Sequence, residues 1–190
     1  MDLPDNILTV PFTNEDPILK KFIDYIEISR DKFLKIHQRA KEYCLTINDV
    51  IMAAYIITLS RKTELTKISL PCPIDLRQFF TSQSPRIANL TGEYGLIISV
   101  ENNDDIFTIA RKIHNHIIDL KDRKTFLQSI PKLQSIYHKL PIFLVRWIIS
   151  NHYHVQPVSY TNFGILDQQF YFEDNAILHC MLTGSFRRVP

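Results

Sequence analysis

With 190 residues, 45% of them hydrophobic and 22% charged, the chain has the size and balance of one globular domain that can bury a core. A formal net charge of +2, with basic residues scattered rather than striped, excludes the electrostatic footprint of a nucleic-acid binder. Only 4 glycines argue against a glycine-looped nucleotide site or a succession of tight hairpins.

Residues 1–20 carry Pro4, Pro11 and Pro17 and are read as an extended lead-in. Met1-Asp2-Leu3-Pro4-Asp5 has neither a positive start nor a long apolar stretch, so no signal peptide is expected. Residues 22–28, Phe22-Ile23-Asp24-Tyr25-Ile26-Glu27-Ile28, have the β-branched and apolar content of a strand. Ser29 is placed to cap a following helix, with Phe33, Leu34, His37, Ala40 and Cys44 at helical spacing. Thr46 and Asp49 form a capping-box variant opening a second helix. Val50, Ile51, Ala53, Ala54, Ile56 and Ile57 make that helix apolar almost all round, which predicts a central, buried position.

Ile68 to Ile74 reads as a strand, and Pro71 and Pro73 place it at an edge or end. A short helix and an irregular loop are expected over 75–93, then a buried strand from Tyr94 to Val100. Asp104 and Asp105 favour the start of a helix, whose apolar face is Ile106, Ile109, Ala110, Ile113, Ile117 and Leu120. Residues 125–150 read as two helical pieces broken at Pro141, which suits a first helical residue. The apolar run Ile142 to Ile149, interrupted by Arg146, falls short of the about 20 residues that span a bilayer. Strands are expected at 158–163 and 176–183. The mixed order predicts a single domain over 1–190 of α/β or layered α+β class, a mixed sheet packed by helices.

Residue chemistry alone names no active site. Cys44, Cys72 and Cys180 are odd in number and widely spaced, so they predict small buried hydrophobes in a reducing, cytoplasmic compartment rather than a disulfide framework or zinc ribbon. His114 and His116 sit two apart on a predicted helix and point to different faces. His152-Tyr153-His154 has the spacing of a chelating pair but no evident third ligand, and no metal site is expected. His37 lies along a helix face and His138 near a helix end. His179 and Cys180 are neighbours on a strand and point oppositely, which disfavours a Cys–His nucleophile pair. Asp122, Glu173 and Asp174 are not fixed into an acid/base pair.

A pattern of segments is more specific. Thr46-Ile47-Asn48-Asp49-Val50-Ile51-Met52-Ala53-Ala54-Tyr55, Ile68-Ser69-Leu70-Pro71-Cys72-Pro73-Ile74-Asp75-Leu76-Arg77, Ile87-Ala88-Asn89-Leu90-Thr91-Gly92-Glu93-Tyr94-Gly95 and Val158-Ser159-Tyr160-Thr161-Asn162-Phe163-Gly164-Ile165-Leu166 follow one another at characteristic distances. In that order they resemble the C-terminal half of the condensation-like acyltransferase superfamily. That group takes in alcohol acetyltransferases, polyketide-associated acyltransferases, wax ester synthases and nonribosomal peptide condensation domains, with chloramphenicol acetyltransferase a more distant relative. The alcohol acetyltransferase branch is the nearest in feel.

The resemblance implies one subdomain of a chloramphenicol-acetyltransferase-like fold, in which two similar α/β subdomains enclose a channel. It implies transfer of an acyl group, acetyl in the leading case, from CoA or a carrier thioester to an alcohol or amine. Acyl-CoA would be a co-substrate, and no tightly bound cofactor is expected. The family's general base is the second His of His-His-x-x-x-Asp-Gly in the N-terminal subdomain, and this chain has no adjacent His pair. A positioned base contributes about 10² to 10⁴ in rate, so the chain alone is expected to be inactive. Arg77 matches the arginine that pairs with the motif Asp of the other subdomain, with Asp75 beside it; a planar guanidinium suits a carboxylate. Asn89, Thr91 and Gly92 match a loop beside the channel, or an ordinary turn. Ser159, Thr161 and Asn162 match the pantetheine path, as hydrogen-bond donors to an oxyanion or amide, or are plain strand and turn residues. The apolar helix after Pro141 needs a cover, whether the N-terminal subdomain, a pocket or a second copy in a homodimer. The alternative reading is a non-catalytic half-length module that binds a hydrophobic ligand or a separate N-terminal half.

Overall fold

The computed structural model describes residues 23–79, 91–124, 127, 138–152, 158–162, 164, 171–172 and 175–176. Residues 23–29 have no regular structure, so the strand expected at 22–28 does not form. Ile23, Tyr25, Ile26 and Ile28 are exposed, and among the described residues no strand pairs with them. Strand preference expresses fit to a half-buried pleated surface, and this segment has none.

Helix α1 (Arg30–Glu42) starts at Ser29 as expected, but the serine side chain makes no capping bond. The link is instead backbone: the Phe33 N–H donates to the Ser29 carbonyl at 2.9 Å. Of its expected apolar face, Ala40 is fully buried while Phe33 and Leu34 are exposed. Cys44 follows in a left-handed turn (φ 57°) and is exposed, which corrects the expectation that it is buried.

Helix α2 (Ile47–Thr63) opens with the capping box read from the sequence. The Asp49 N–H donates to Thr46 Oγ1 at 3.2 Å, and the Thr46 N–H donates to Asp49 Oδ2 at 2.9 Å. Val50, Met52, Ala53 and Ile56 are buried, but Ile51 is exposed, so α2 is central with one face open. Strands β1 (Lys67–Asp75) and β2 (Thr91–Ser99) pair antiparallel from Lys67↔Ser99 to Asp75↔Thr91. Because side chains alternate along a strand, Ile68, Leu70, Cys72 and Ile74 share one face with Ile98, Leu96, Tyr94 and Gly92. β2 starts at Thr91, so residues 91–93, expected in a loop, belong to the ladder.

A one-turn 3₁₀ helix (Leu76–Phe79) follows β1. Helix α3 (Ile106–Arg123) is capped by Asp105, whose side chain accepts the Thr108 N–H at 2.7 Å. α3 lies against α2 and β2 through Ile109, Ala110 and Ile113, all fully buried. Together α1, α2, α3 and the ladder form one core, a helix layer on an antiparallel sheet.

Helix α4 (Ile142–His152) begins just after Pro141, whose carbonyl accepts the Leu144 and Val145 N–H groups. Residues 158–162 form no strand, contrary to expectation; the Tyr160 N–H donates to the Pro71 carbonyl at 3.3 Å, laying the segment on the outer edge of β1. The short pair β3 (Tyr171–Phe172) and β4 (Asn175–Ala176) is a second, separate ladder. The remainder of the strand expected at 176–183, the helical piece expected before Pro141 apart from its last residues, Cys180 and His179 lie outside the described residues. Among the described residues no single helix is long and apolar enough to cross a membrane.

Candidate functional site

The ladder has two unlike ends. Toward Lys67 and Ser99 its inner face is sealed by helices; toward Asp75 and Thr91 it opens into a recess of about 260 Å³. Met52, Cys72, Pro73 and Ile74 supply apolar lining, and Asn48, Asp75, Tyr94, Lys121, Tyr160 and Asn162 supply polar groups. α2 contributes Asn48 and Met52, β1 the stretch Cys72–Asp75, β2 Tyr94, α3 Lys121 and the 158–164 segment Tyr160, Asn162 and Gly164.

One side-chain oxygen holds this arrangement together. Asn48 Oδ1 accepts from the Tyr160 hydroxyl at 2.9 Å and from Asn162 Nδ2 at 2.8 Å. Asn162 Oδ1 in turn accepts the Gly164 N–H at 2.7 Å. One residue on, Asp49 is buried at 3% exposure and its Oδ2 also receives the His114 Nδ1–H at 2.8 Å, tying the start of α2 to α3.

Asp75 and Asn162, both singled out from sequence, line the recess. Arg77 donates to Asp75 Oδ1 from its backbone N–H at 2.9 Å and from its guanidinium at 3.1 Å, and about half of each side chain is exposed. Thr91 stands opposite Asp75, and Gly92 opposite Ile74. A Cβ on Gly92 would meet Leu76 Cδ2 at 2.8 Å, so glycine lets Leu76 of the 3₁₀ turn pack closely over this end. Ser159 and Thr161 are exposed on either side of Tyr160 and do not line the recess. Asn89 lies outside the described residues.

Three of the lining groups, Cys72, Tyr94 and Tyr160, are neutral donors. Burial pushes the Cys72 thiol up to about 12, so it is a thiol rather than a nucleophilic thiolate. Burial likewise raises the Tyr94 and Tyr160 phenols above their ordinary range. These groups can orient a ligand and donate hydrogen bonds to it; none is suited to take a proton near neutral pH. His114 does not line the recess. Among the described residues no His, Cys, Asp and Glu side chains cluster as a metal site.

Asn48, Tyr94, Lys121 and Tyr160 were not singled out from sequence, nor was the Asp49–His114 contact. The available signal was an uncharged polar residue, Asn48, in the first turn of an otherwise apolar helix.

No protein-family model and no curated protein sequence matches this chain. Among solved structures, it is similar to polyketide synthase associated protein 5 from Mycobacterium tuberculosis, with 24% identity and a TM-score of 0.46 over 53% of this chain and 26% of that one. It is similar to the first condensation domain of the CDA synthetase, with 13% identity and a TM-score of 0.43 over 49% of this chain and 21% of that one. A third similar structure is the EpoB NRPS cyclization-docking bidomain from Sorangium cellulosum, at 21% identity and a TM-score of 0.42 over 50% of this chain and 20% of that one. Each of these likenesses covers about half of this chain. The chain spans about a quarter to a fifth of the length of these neighbours.

Proposed function

We propose that this chain is the C-terminal subdomain of a two-subdomain, chloramphenicol-acetyltransferase-like acyltransferase. The reaction is transfer of an acyl group, acetyl in the leading case, from CoA or a carrier thioester to an alcohol or amine, in the cytoplasm. The observation that carries this reading is convergence: the segments that resemble the superfamily, far apart in sequence, meet at one end of the ladder. Asn48 and Met52, Cys72 to Asp75, Tyr94, and Tyr160, Asn162 and Gly164 surround a single recess. On this reading Arg77, held by Asp75 Oδ1, meets the carboxylate of the partner subdomain. Thr91, Gly92, Ser159, Thr161 and Asn162 flank the path of the pantetheine arm, and the recess orients the thioester while the base comes from the other half.

The test is thiol release from acyl-CoA with a panel of alcohols and amines. It is run on this chain alone and on this chain joined to an N-terminal subdomain carrying His-His-x-x-x-Asp-Gly. Activity only in the joined form, lost when the second motif His is changed, supports the reading; activity in this chain alone overturns the catalytic assignment.

A second reading, a non-catalytic module, is favoured by the exposed apolar face of α4. Phe143 and Trp147 are 66% and 62% exposed, which suits contact with a separate half, a hydrophobic ligand or a second copy. A monomeric sample that binds no hydrophobic-patch dye would sink it.

A further inference from the structure

Asn48 has a role that neither its sequence context nor the resemblance supplies. The Gly164 N–H can only donate, so the atom of Asn162 that meets it is Oδ1, and Asn162 therefore turns its Nδ2 toward Asn48. That fixes the Asn48 amide as well: its oxygen faces Tyr160 and Asn162, and its Nδ2 has no protein partner among the described residues. These contacts bridge residues 112 and 114 positions apart. The segment is also tied to the core by the Tyr160 N–H bond to Pro71, by the contact of the Tyr160 ring with Tyr55 at 6.2 Å and by packing of Val158 and Tyr160 against the core. Cys72, 2% exposed, lines the same recess.

We propose that Asn48 is a positioning residue: its single side-chain oxygen latches Tyr160 and Asn162 against α2 as one wall of the recess, and its remaining amide hydrogens are the donors offered to a ligand carbonyl. The latch stands on the geometry alone; the ligand, a neutral carbonyl such as a thioester or pantetheine amide, rests on the function proposed above. Asn162, with its oxygen given to Gly164 and one amide hydrogen to Asn48, is chiefly part of the wall.

Two substitutions separate the two roles. Asn48→Asp keeps an acceptor oxygen and removes the donors; Asn48→Ala removes both. The latch is read by mass-spectrometric alkylation of Cys72 and by hydrogen exchange at Tyr160 and Gly164, with exchange at β1 and α3 as internal controls. Losing both bonds is expected to speed Cys72 alkylation and exchange at 160 and 164 by about tenfold or more in Asn48→Ala, with α3 unchanged. Asn48→Asp is expected to stay near the parent. Should Asn48→Ala fail to fold, Tyr160→Phe, which deletes one of the two donors and leaves α2 intact, is expected to give a smaller, equally local increase. Unchanged alkylation in these variants, or an increase spread evenly over the core, overturns the latch. The ligand arm uses acetyl-pantetheine binding. Weakening by Asn48→Asp with Cys72 still protected supports the donor role, and unchanged binding overturns it. If acetyl-pantetheine does not bind even the parent chain, the acyl-transfer reading and the donor role fall while the latch result still stands.

Discussion

The two ends of the β1–β2 ladder are built from the same alternation yet differ in what they bury. At one end Ile68, Leu70, Leu96 and Ile98 lie at 3% exposure or less beneath α2 and α3. At the other, Asp75, Arg77 and Thr91 face solvent and the lining of the recess is polar. If the first end supplies stability and the second the recognition proposed above, substitutions at the two ends should separate in what they change.

The largest effect is expected at the sealed end. Leu70→Ala removes a fully buried side chain from the main core and should cost about 2–5 kcal/mol in a denaturant titration. Next comes Asp49→Ala, which strips the Thr46 N–H and His114 Nδ1 of their shared acceptor; about 2–3 kcal/mol is expected. A double-mutant cycle with His114→Ala would show how much of that is the α2–α3 tie, and independence of the two changes would argue that the contact is idle.

Alkaline pH sharpens the contrast from inside the recess. The Cys72 thiol has its folded-state value raised from 9.0 to about 12 by burial. Between those values the unfolded chain has lost the proton and the folded chain keeps it, so stability falls as pH rises through that window. The slope approaches about 1.4 kcal/mol per pH unit for this one group. Cys72→Ala should reduce the slope, leaving the part due to the raised Tyr94 and Tyr160 phenols, and an unchanged slope would show that Cys72 does not contribute to it. A smaller effect is expected from Gly92→Ala: the new methyl meets the end of the Leu76 side chain at 2.8 Å, and about 1 kcal/mol of overpacking is expected because that terminus can shift.

Most elements fixed by neighbours in sequence were legible, the Ser29 cap excepted; of those that need distant partners, β1 and β2 were legible and two other expected strands were not. The Thr46–Asp49 box, the helix start after Asp104 and Asp105 and the helix start after Pro141 depend on residues within a turn, and each forms where the sequence implies. The strand expected at 22–28 needed a partner strand, and the one expected at 158–163 is reduced to a single backbone bond with β1. The helix face of Phe33 and Leu34 was likewise readable as apolar but not as uncovered, because cover is a tertiary property. In the site, Asp75 and Asn162 could be found from motif segments. Asn48 lies in such a segment too, but its role could not be read there, since it rests on two hydrogen bonds from the far end of the chain.

Arg77→Ala gives the smallest stability change and the clearest division between the two ends. Its ion pair with Asp75 is 3.1 Å long and the two side chains are 50% and 56% exposed, so screening by water leaves it worth under about 0.5 kcal/mol. A melt should therefore scarcely move. If the guanidinium also meets a carboxylate of a partner subdomain, the joined protein should lose about tenfold or more in turnover. Arg77→Lys should recover little of it, because an ammonium keeps the charge but not the planar fork. A variant as active as the parent would reduce Arg77 to a surface residue, and would place the meeting of the two subdomains away from this end of the ladder. A large shift in the melt would contradict the division itself, since it would make the open end as much a part of the stabilising core as Leu70.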